Sequence, residues 1–318
     1  MNIVMACPAP RGSHKGNRVT ADRWAAILQR LGHRVTIHGP DTRAPCDLLI
    51  ALHARRSFPA ISHRKKQDPQ APLVVALTGT DLYRDIRTSK RAQRSLQLAD
   101  RLVVLQPLGV NELPSRLWEK TRVIQQSAEP LRPAPPRLSS AFEVAVLGHL
   151  RYEKDPFRTA MALRLLPPDS RIRVTHIGEA LSDAMAGRAR QLSAADPRYR
   201  WLGAVSRLQA RRILARSHLL VHSSRLEGGA NVISEALAEG VPILASHIPG
   251  NVGLLGTRYP GLFATGDTHG LGKLLSRAET DPDYLARLKK WCSQLAALVE
   301  PAREQAAWQS LLAELVSR

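Results

Sequence analysis

Two glutamates eight positions apart, Glu227 and Glu235, flank a turn of small residues in the stretch Ser223-Ser224-Arg225-Leu226-Glu227-Gly228-Gly229-Ala230-Asn231-Val232-Ile233-Ser234-Glu235-Ala236-Leu237. The turn runs into a helical pattern, so its backbone N–H groups can meet a phosphate or a sugar oxygen. Carboxylates there can accept hydrogen bonds from sugar hydroxyls, and such charge-assisted bonds contribute about 1.5–3 kcal/mol each. Acidic residues that merely complement a helix dipole would account for Glu227 but not for the Gly-Gly-Ala beside it.

Three further clusters follow strand patterns. Gly148-His149-Leu150-Arg151-Tyr152-Glu153-Lys154-Asp155 offers fixed cations and one titratable ring, which suits a diphosphate. The competing reading is a solvated loop. Pro10-Arg11-Gly12-Ser13-His14-Lys15-Gly16-Asn17 lies between the first strand and the first helix. Glycines there let the backbone approach a ligand, and Lys15 and Arg18 favour an anion. It is neither GxGxxG nor a Walker A loop, and a tight turn explains it equally well. His53, Arg55 and Arg56 form the last cluster; a hydrogen-bonded structural histidine and a solvated arginine pair are their alternatives. The Asp-x-Asp triplet Asp281-Pro282-Asp283 reads as a helix start, with Asp as cap and Pro at the first position, so no metal is expected.

The elements that must hold these residues alternate. Strand patterns at Asn2–Ala6, Arg34–His38, Asp47–Leu52, Pro72–Leu77 and Arg101–Leu105 are interleaved with helical patterns. One of these carries Trp24, Ile27, Leu28 and Leu31 and ends at Gly32. Residues 129–141 hold four prolines and read as an extended linker. The rhythm restarts with strands at Phe142–Leu147, Arg171–Ile177, Tyr199–Leu202, His218–His222 and Val241–Ala245. The C-terminal region is helical from about Asp281, is interrupted by Pro301 and carries Trp308, Leu311, Leu312 and Leu315 on its last helix. Strand–helix alternation calls for parallel sheets covered on both faces, with ligands at the strand carboxyl ends. The expected fold is α/β: two doubly wound Rossmann-like domains facing a cleft. The expected bounds are 1–128, linker 129–141, 142–298, and a helix in 299–318 that returns to the first domain.

Length and charge agree with this. The chain has 318 residues, enough for two domains of roughly 150. It is 44% hydrophobic but only 4% aromatic, and no window reaches the ~20 apolar residues of a membrane span. The N-terminus lacks a charged region before its first strand, so no signal peptide is expected. Three cysteines without CxxC spacing argue against a disulfide framework or zinc and make a cytoplasmic location the expectation. The net charge of +19, from 46 Lys+Arg against 27 Asp+Glu, points to anionic partners. The cations are scattered and lack interleaved aromatics, so small phosphorylated ligands are expected rather than nucleic acid.

The stretch from Glu227 to Gly250 resembles the glutamate–seven–glutamate signature of the GT-B glycosyltransferases of family four, and the loop after Leu147 resembles their phosphate loop. The order of motifs fits over nearly the whole chain. The resemblance implies a nucleotide-sugar donor, with Glu227 at the sugar, Glu235 at the ribose and Lys154 at the diphosphate. The donor side would comprise Gly12, Gly16, Asn17, His149, Arg151, Lys154, Glu227, Gly228, Gly229, Ala230, Asn231, Val232 and Glu235. Two departures stand out. His149 occupies the position of the usual loop arginine, and Thr78, in Thr78-Gly79-Thr80-Asp81, that of the usual acceptor-side histidine. Residues 12–21, 51–57, 77–83 and 149–158 are similar to the selenosugar synthases of selenoneine biosynthesis. That subfamily joins selenophosphate to the anomeric carbon of a UDP-sugar, which here would be UDP-GlcNAc or UDP-glucose with release of UDP and phosphate; no cofactor is expected beside these substrates. The acceptor side would then be Lys15, Arg18, His53, Arg55, Arg56 and Thr78, with His53, Glu227 and Lys154 as catalytic groups. The alternatives are an ordinary transferase acting on a hydroxyl acceptor and a non-catalytic nucleotide-sugar or nucleic-acid binding protein. Neither the oligomeric state nor the stereochemical outcome follows from the sequence.

Overall fold

The computed structural model describes residues 1–316 except His14 and Leu138. His14 of the first glycine loop, Leu138 of the proline-rich segment and residues 317–318 of the last expected segment therefore lie outside the described residues. The described residues divide into two units. One holds Met1–Gln126, Glu227–Gly229 and the terminal helix; the other holds Ser127–Leu226 and Ala230–Glu300.

In the first unit, β1 (Asn2–Ala6), β2 (Arg34–His38), β3 (Leu48–Leu52), β4 (Leu73–Leu77), β5 (Arg101–Val104) and β6 (Thr121–Val123) form a parallel sheet in the order β2-β1-β3-β4-β5-β6. Helices α1 (Gly16–Arg30), α2 (Phe58–Gln67), the single turn α3 (Ile86–Thr88) and α4 (Lys90–Leu98) connect the strands. Strands β3 (LLIAL) and β4 (LVVAL) are buried at every residue, because a sheet covered on both faces requires continuous rather than alternating apolar runs. One face packs on Trp24, Ile27 and Leu28 of α1, the other on Ile61 of α2 and Leu96 of α4.

The second unit repeats the plan with β7 (Phe142–Leu147), β8 (Ile172–Ile177), β9 (Tyr199–Trp201), β10 (Leu219–His222), β11 (Ile243–Ser246) and β12 (Leu262–Phe263), parallel in the order β12-β11-β10-β7-β8-β9. Its helices are α5 (Arg158–Leu163), α6 (Asp183–Ala195), α7 (Arg207–Arg216), α8 (Asn231–Ala238), α9 (Pro249–Leu255), α10 (Thr268–Thr280) and α11 (Pro282–Ala296). Asp281 caps α11, its carboxylate accepting the Tyr284 N–H at 2.9 Å, so the Asp-x-Asp triplet is a helix start. The described residues of 129–141 contain no regular element. The segment leading into them is bound to the second unit: the Ala128 N–H donates to the Val299 carbonyl, and the Leu131 N–H to the Glu239 carboxylate, which also pairs with Arg211.

The last helix, α12 (Pro301–Val316), packs on α1 in the first unit. Trp308 meets Trp24 edge to face at 4.8 Å. Buried Glu304 accepts from Trp24 Nε1 at 2.7 Å and Arg23 Nε at 2.9 Å, so its charge is paired as burial demands. The strand patterns in the sequence match ten strands to within two residues at either end. They miss β6 and β12, edge strands of three and two residues.

In both sheets the strand order reverses once, between β1 and β3 and between β10 and β7. Those switch points are where loops from neighbouring strands part and leave room for a ligand. All four candidate clusters emerge there: residues 7–15 and 53–57 after β1 and β3, residues 148–157 and 223–230 after β7 and β10.

Candidate functional site

Each unit presents its own half-site. In the second, the loop after β7 runs through Gly148 and His149 into a 3-10 turn, Tyr152–Lys154, and reverses at Asp155, which holds a left-handed backbone (φ 44°). That conformation is uncommon for a residue with a side chain, and several bonds hold it. The Asp155 carboxylate pairs with Arg158 at 2.9 Å and Arg225 at 3.2 Å, and its carbonyl accepts the Ser223 hydroxyl at 3.0 Å. The Arg225 N–H donates to the Glu153 carbonyl at 2.8 Å, and its guanidinium lies over the Tyr152 ring at 4.9 Å. The loops after β7 and β10 are thereby fastened to each other.

The Lys154 side chain lies beside Gly148, where a Cβ would stand 3.6 Å from Lys154 Cδ. Arg151 makes no ion pair among the described residues, and its Nε is buried without a hydrogen-bond partner. The His149 Nδ1 accepts the Glu179 N–H at 3.2 Å, so a neutral ring carries its proton on Nε2. Helix α8 begins at Asn231 with Ala230 in the cap position, no side-chain cap and no acidic residue in its first turn. Helix N-termini of this kind favour anions. Glu235 lies one turn further along and is 3.5 Å from Arg207 of α7.

In the first unit, Asp81 is the anchor. It is fully buried; Oδ1 accepts from the Thr78 and Gly79 N–H groups at 3.0 and 2.9 Å, and Oδ2 accepts from the Ala54 N–H at 2.9 Å. One carboxylate thus ties the loop after β3 to the loop after β4, at the start of a single π-helical turn, Asp81–Asp85. His53 is 3% exposed and has a left-handed backbone (φ 72°). Its Nε2 is 3.0 Å from Thr80 Oγ1, and its Nδ1 receives the Arg56 N–H at 3.4 Å. Asp81 and Asp85 stand 3.9 and 3.8 Å from its ring nitrogens.

Two cations of the expected acceptor set are already paired: Arg55 with Asp85 at 2.9 Å, and Arg18 with Asp22, one helical turn along, at 2.8 Å. Lys15 and Arg56 are exposed. Gly12 has φ 77°, open to glycine without strain. Gly16 and Asn17 open α1, with Lys15 in the cap position and no side-chain cap.

Glu227–Gly229 belong to this unit, and the two glycines have a steric reason. A Cβ at Gly228 would stand 2.5 Å from the Thr78 carbonyl carbon, and one at Gly229 would stand 2.5 Å from Leu105 Cβ. Glu227 is 9% exposed. The Tyr83 phenol is pushed up, first by burial and then by the charge of Glu112, with Glu227 adding to the shift; Gln106 donates to its oxygen at 3.0 Å. In the sequence, Asp81 stands only as the end of the Thr-Gly-Thr-Asp run and Tyr83 only within the stretch 77–83, and nothing marks Asp85. The one local signal was the Thr-Gly-Thr-Asp run itself, a loop in which Asp readily accepts nearby N–H groups. Among the described residues no group of three or more His, Cys, Asp or Glu could hold a metal, the three cysteines are free, and no helix is long and apolar enough to cross a membrane.

Two doubly wound parallel sheets, each with a loop half-site at its switch point, define the GT-B class of α/β proteins. Residues 129–292, just over half of the chain, match the family model of the glycosyl transferases group 1, and the chain belongs to that family. Solved structures agree on the fold at low identity. HepE from Anabaena, solved with UDP and glucose, is 16% identical with a TM-score of 0.79 over 99% of this chain and 100% of that one. Sucrose-phosphate synthase from Thermosynechococcus elongatus has the same identity and TM-score over 99% of both chains. A trehalose-6-phosphate protein from E. coli, bound to UDP-2-fluoro glucose, is 13% identical with a TM-score of 0.73 over 99% of both. No curated protein is significantly similar to the chain in sequence.

Proposed function

We propose that this group 1 glycosyl transferase takes a UDP-sugar as donor and selenophosphate as acceptor. The observation that carries the donor half is the N-terminus of α8, with no side-chain cap at Ala230 and no acidic residue in its first turn, beside the cationic loop Gly148–Lys154 at the β10/β7 switch point. The helix end and Lys154, Arg151 and the His149 ring would hold the diphosphate. Glu235, steadied by Arg207, would hold the ribose, and Glu227 the sugar. The bound UDP, UDP-glucose and UDP-2-fluoro glucose in structures of the same fold support the choice of nucleotide.

The acceptor half rests on the four stretches similar to selenosugar synthases and on Thr78, where a hydroxyl-transferring member would keep histidine. Selenium would attack the anomeric carbon as the bond to the UDP oxygen breaks, and UDP would leave with the electron pair. Water would then cleave the Se–P bond, giving phosphate and the selenosugar. A selenium anion needs electrostatic capture more than a general base. Lys15 and Arg56 would supply that capture, and Arg55 and Arg18 would join once their carboxylate partners yield. His53 would act by holding the β3 and β4 loops together. Leaving-group charge would be met by cations and the helix dipole, with no metal required.

The test incubates the protein with UDP-glucose or UDP-GlcNAc, with and without selenophosphate, and follows UDP release and sugar products by mass spectrometry. UDP release with a selenium-containing sugar, undiminished by EDTA, is expected. Efficient glycosylation of an alcohol or sugar hydroxyl while selenophosphate leaves the donor intact overturns the acceptor reading.

A further inference from the structure

The phosphate loop leaves β7 beside the end of β8, and its first two residues are gripped from there. His176, fully buried on β8, has Nε2 3.2 Å from the Gly148 carbonyl oxygen. A carbonyl only accepts, so Nε2 carries the proton and donates. Nδ1 is then the bare nitrogen, and it receives the Tyr199 hydroxyl of β9 at 2.7 Å. Burial pulls the His176 pKa down to about 4, which keeps the ring in the neutral form this order of donors requires.

Gly178, just past β8, has φ 156°, and a Cβ there would collide with the Gly148 carbonyl and stand 2.8 Å from the His149 nitrogen. Its own carbonyl accepts from Trp201 Nε1 at 2.9 Å. The Glu179 N–H reaches the His149 ring, and the Leu150 N–H returns to the Glu179 carbonyl at 2.8 Å. The loop is thus templated by a neighbouring strand end whose fixing groups, His176 and Tyr199, are themselves buried.

We infer that His176, oriented by Tyr199, is a positioning residue of the phosphate loop. By fixing the Gly148 carbonyl it sets the peptide plane from which His149 departs, and so the aim of the His149 ring and of Lys154 beside Gly148. The inference rests on the donor reading above. If the ring changed tautomer, the lone pair of Nε2 would face the lone pairs of the carbonyl, and the Gly148–His149 peptide would be driven to turn. Glutamine is the conservative replacement, because its amide can donate to Gly148 and accept from Tyr199 at once.

The test compares the full-length protein with His176→Leu, His176→Gln, Tyr199→Phe and Lys154→Ala. It measures UDP affinity by calorimetry, hydrogen exchange over residues 148–154, and Tm. His176→Leu is expected to weaken UDP binding about tenfold, or about 1.4 kcal/mol, and to raise exchange in the loop. His176→Gln is expected to restore both to within about threefold of the original. Tyr199→Phe, the mild variant should His176→Leu fail to fold, is expected to give a smaller loss. Its 15N ring signals should report a tautomer mixture where the unaltered protein shows Nε2–H alone. Unchanged loop exchange in His176→Leu and Tyr199→Phe overturns the inference, as does a fall in UDP affinity that merely follows Tm and is not rescued by glutamine. Raised loop exchange with UDP affinity unchanged in both His176→Leu and Lys154→Ala supports the positioning and overturns the donor reading instead.

Discussion

Each unit uses a buried histidine to fasten one strand's loop to that of its neighbour, and the two do so in opposite electrostatic settings. In the first unit His53 sits between the carboxylates of Asp81 and Asp85, with Arg55 outside them. In the second, His176 sits between a phenol and a carbonyl with no charge in contact. The buried carboxylates of the first tie hold only while the backbone N–H groups and the arginine that compensate them remain. A neutral tie is weaker bond by bond but survives in a dry core without a counter-ion. The half-site with the charged tie is the one whose arginines, Arg55 and Arg18, are already occupied by carboxylates. The half-site with the neutral tie keeps Arg151 without an ion partner among the described residues.

The comparison breaks most severely at Asp81. Asp81→Ala removes the acceptor of three backbone N–H groups and should lower unfolding free energy by about 3–5 kcal/mol. Asp81→Asn should lose less, because one amide oxygen can still serve one of the two loops. Urea denaturation measures both, and a loss near that of an ordinary surface substitution for Asp81→Ala would show that the loops hold without it.

Acid separates the two ties next. The folded His176 pKa, about 4, lies below the unfolded value of 6.5, so the unfolded chain takes up the proton first. The neutral tie's stabilisation is complete above pH 6.5 and is lost as pH falls toward 4, a limb of roughly 3 kcal/mol. His176→Gln should flatten that limb in denaturation curves recorded at successive pH values. A curve parallel to that of the unaltered protein would mean that the ring is not what titrates.

The smallest effect is expected at His53. Asparagine tolerates a left-handed backbone, so His53→Asn keeps the turn while losing the bond to Thr80. It should cost about 1 kcal/mol and leave UDP affinity within about twofold. A fall of a hundredfold or more in kcat at unchanged stability would instead give His53 a part in the chemistry.

Sequence alone determined the fold class, ten of the twelve strands and the loops that carry the candidate residues. Apolar runs such as LLIAL and LVVAL report burial on both faces wherever they stand, and the Gly-Gly between Glu227 and the α8 pattern marks a tight turn by composition. These are local signals. What tertiary structure decided is which buried polar groups meet. Nothing in the sequence joins Tyr199 to His176 and His176 to Gly148; they meet because β7, β8 and β9 are neighbours in the sheet. The same holds for Asp81, whose carboxylate finds the Ala54 N–H because β3 and β4 lie side by side, and for Gly178, whose lack of a side chain matters only where the Gly148 carbonyl passes. Burial follows from the type and spacing of nearby residues, whereas a hydrogen bond between buried groups requires partners within about 3 Å, a distance that only the order of the strands fixes.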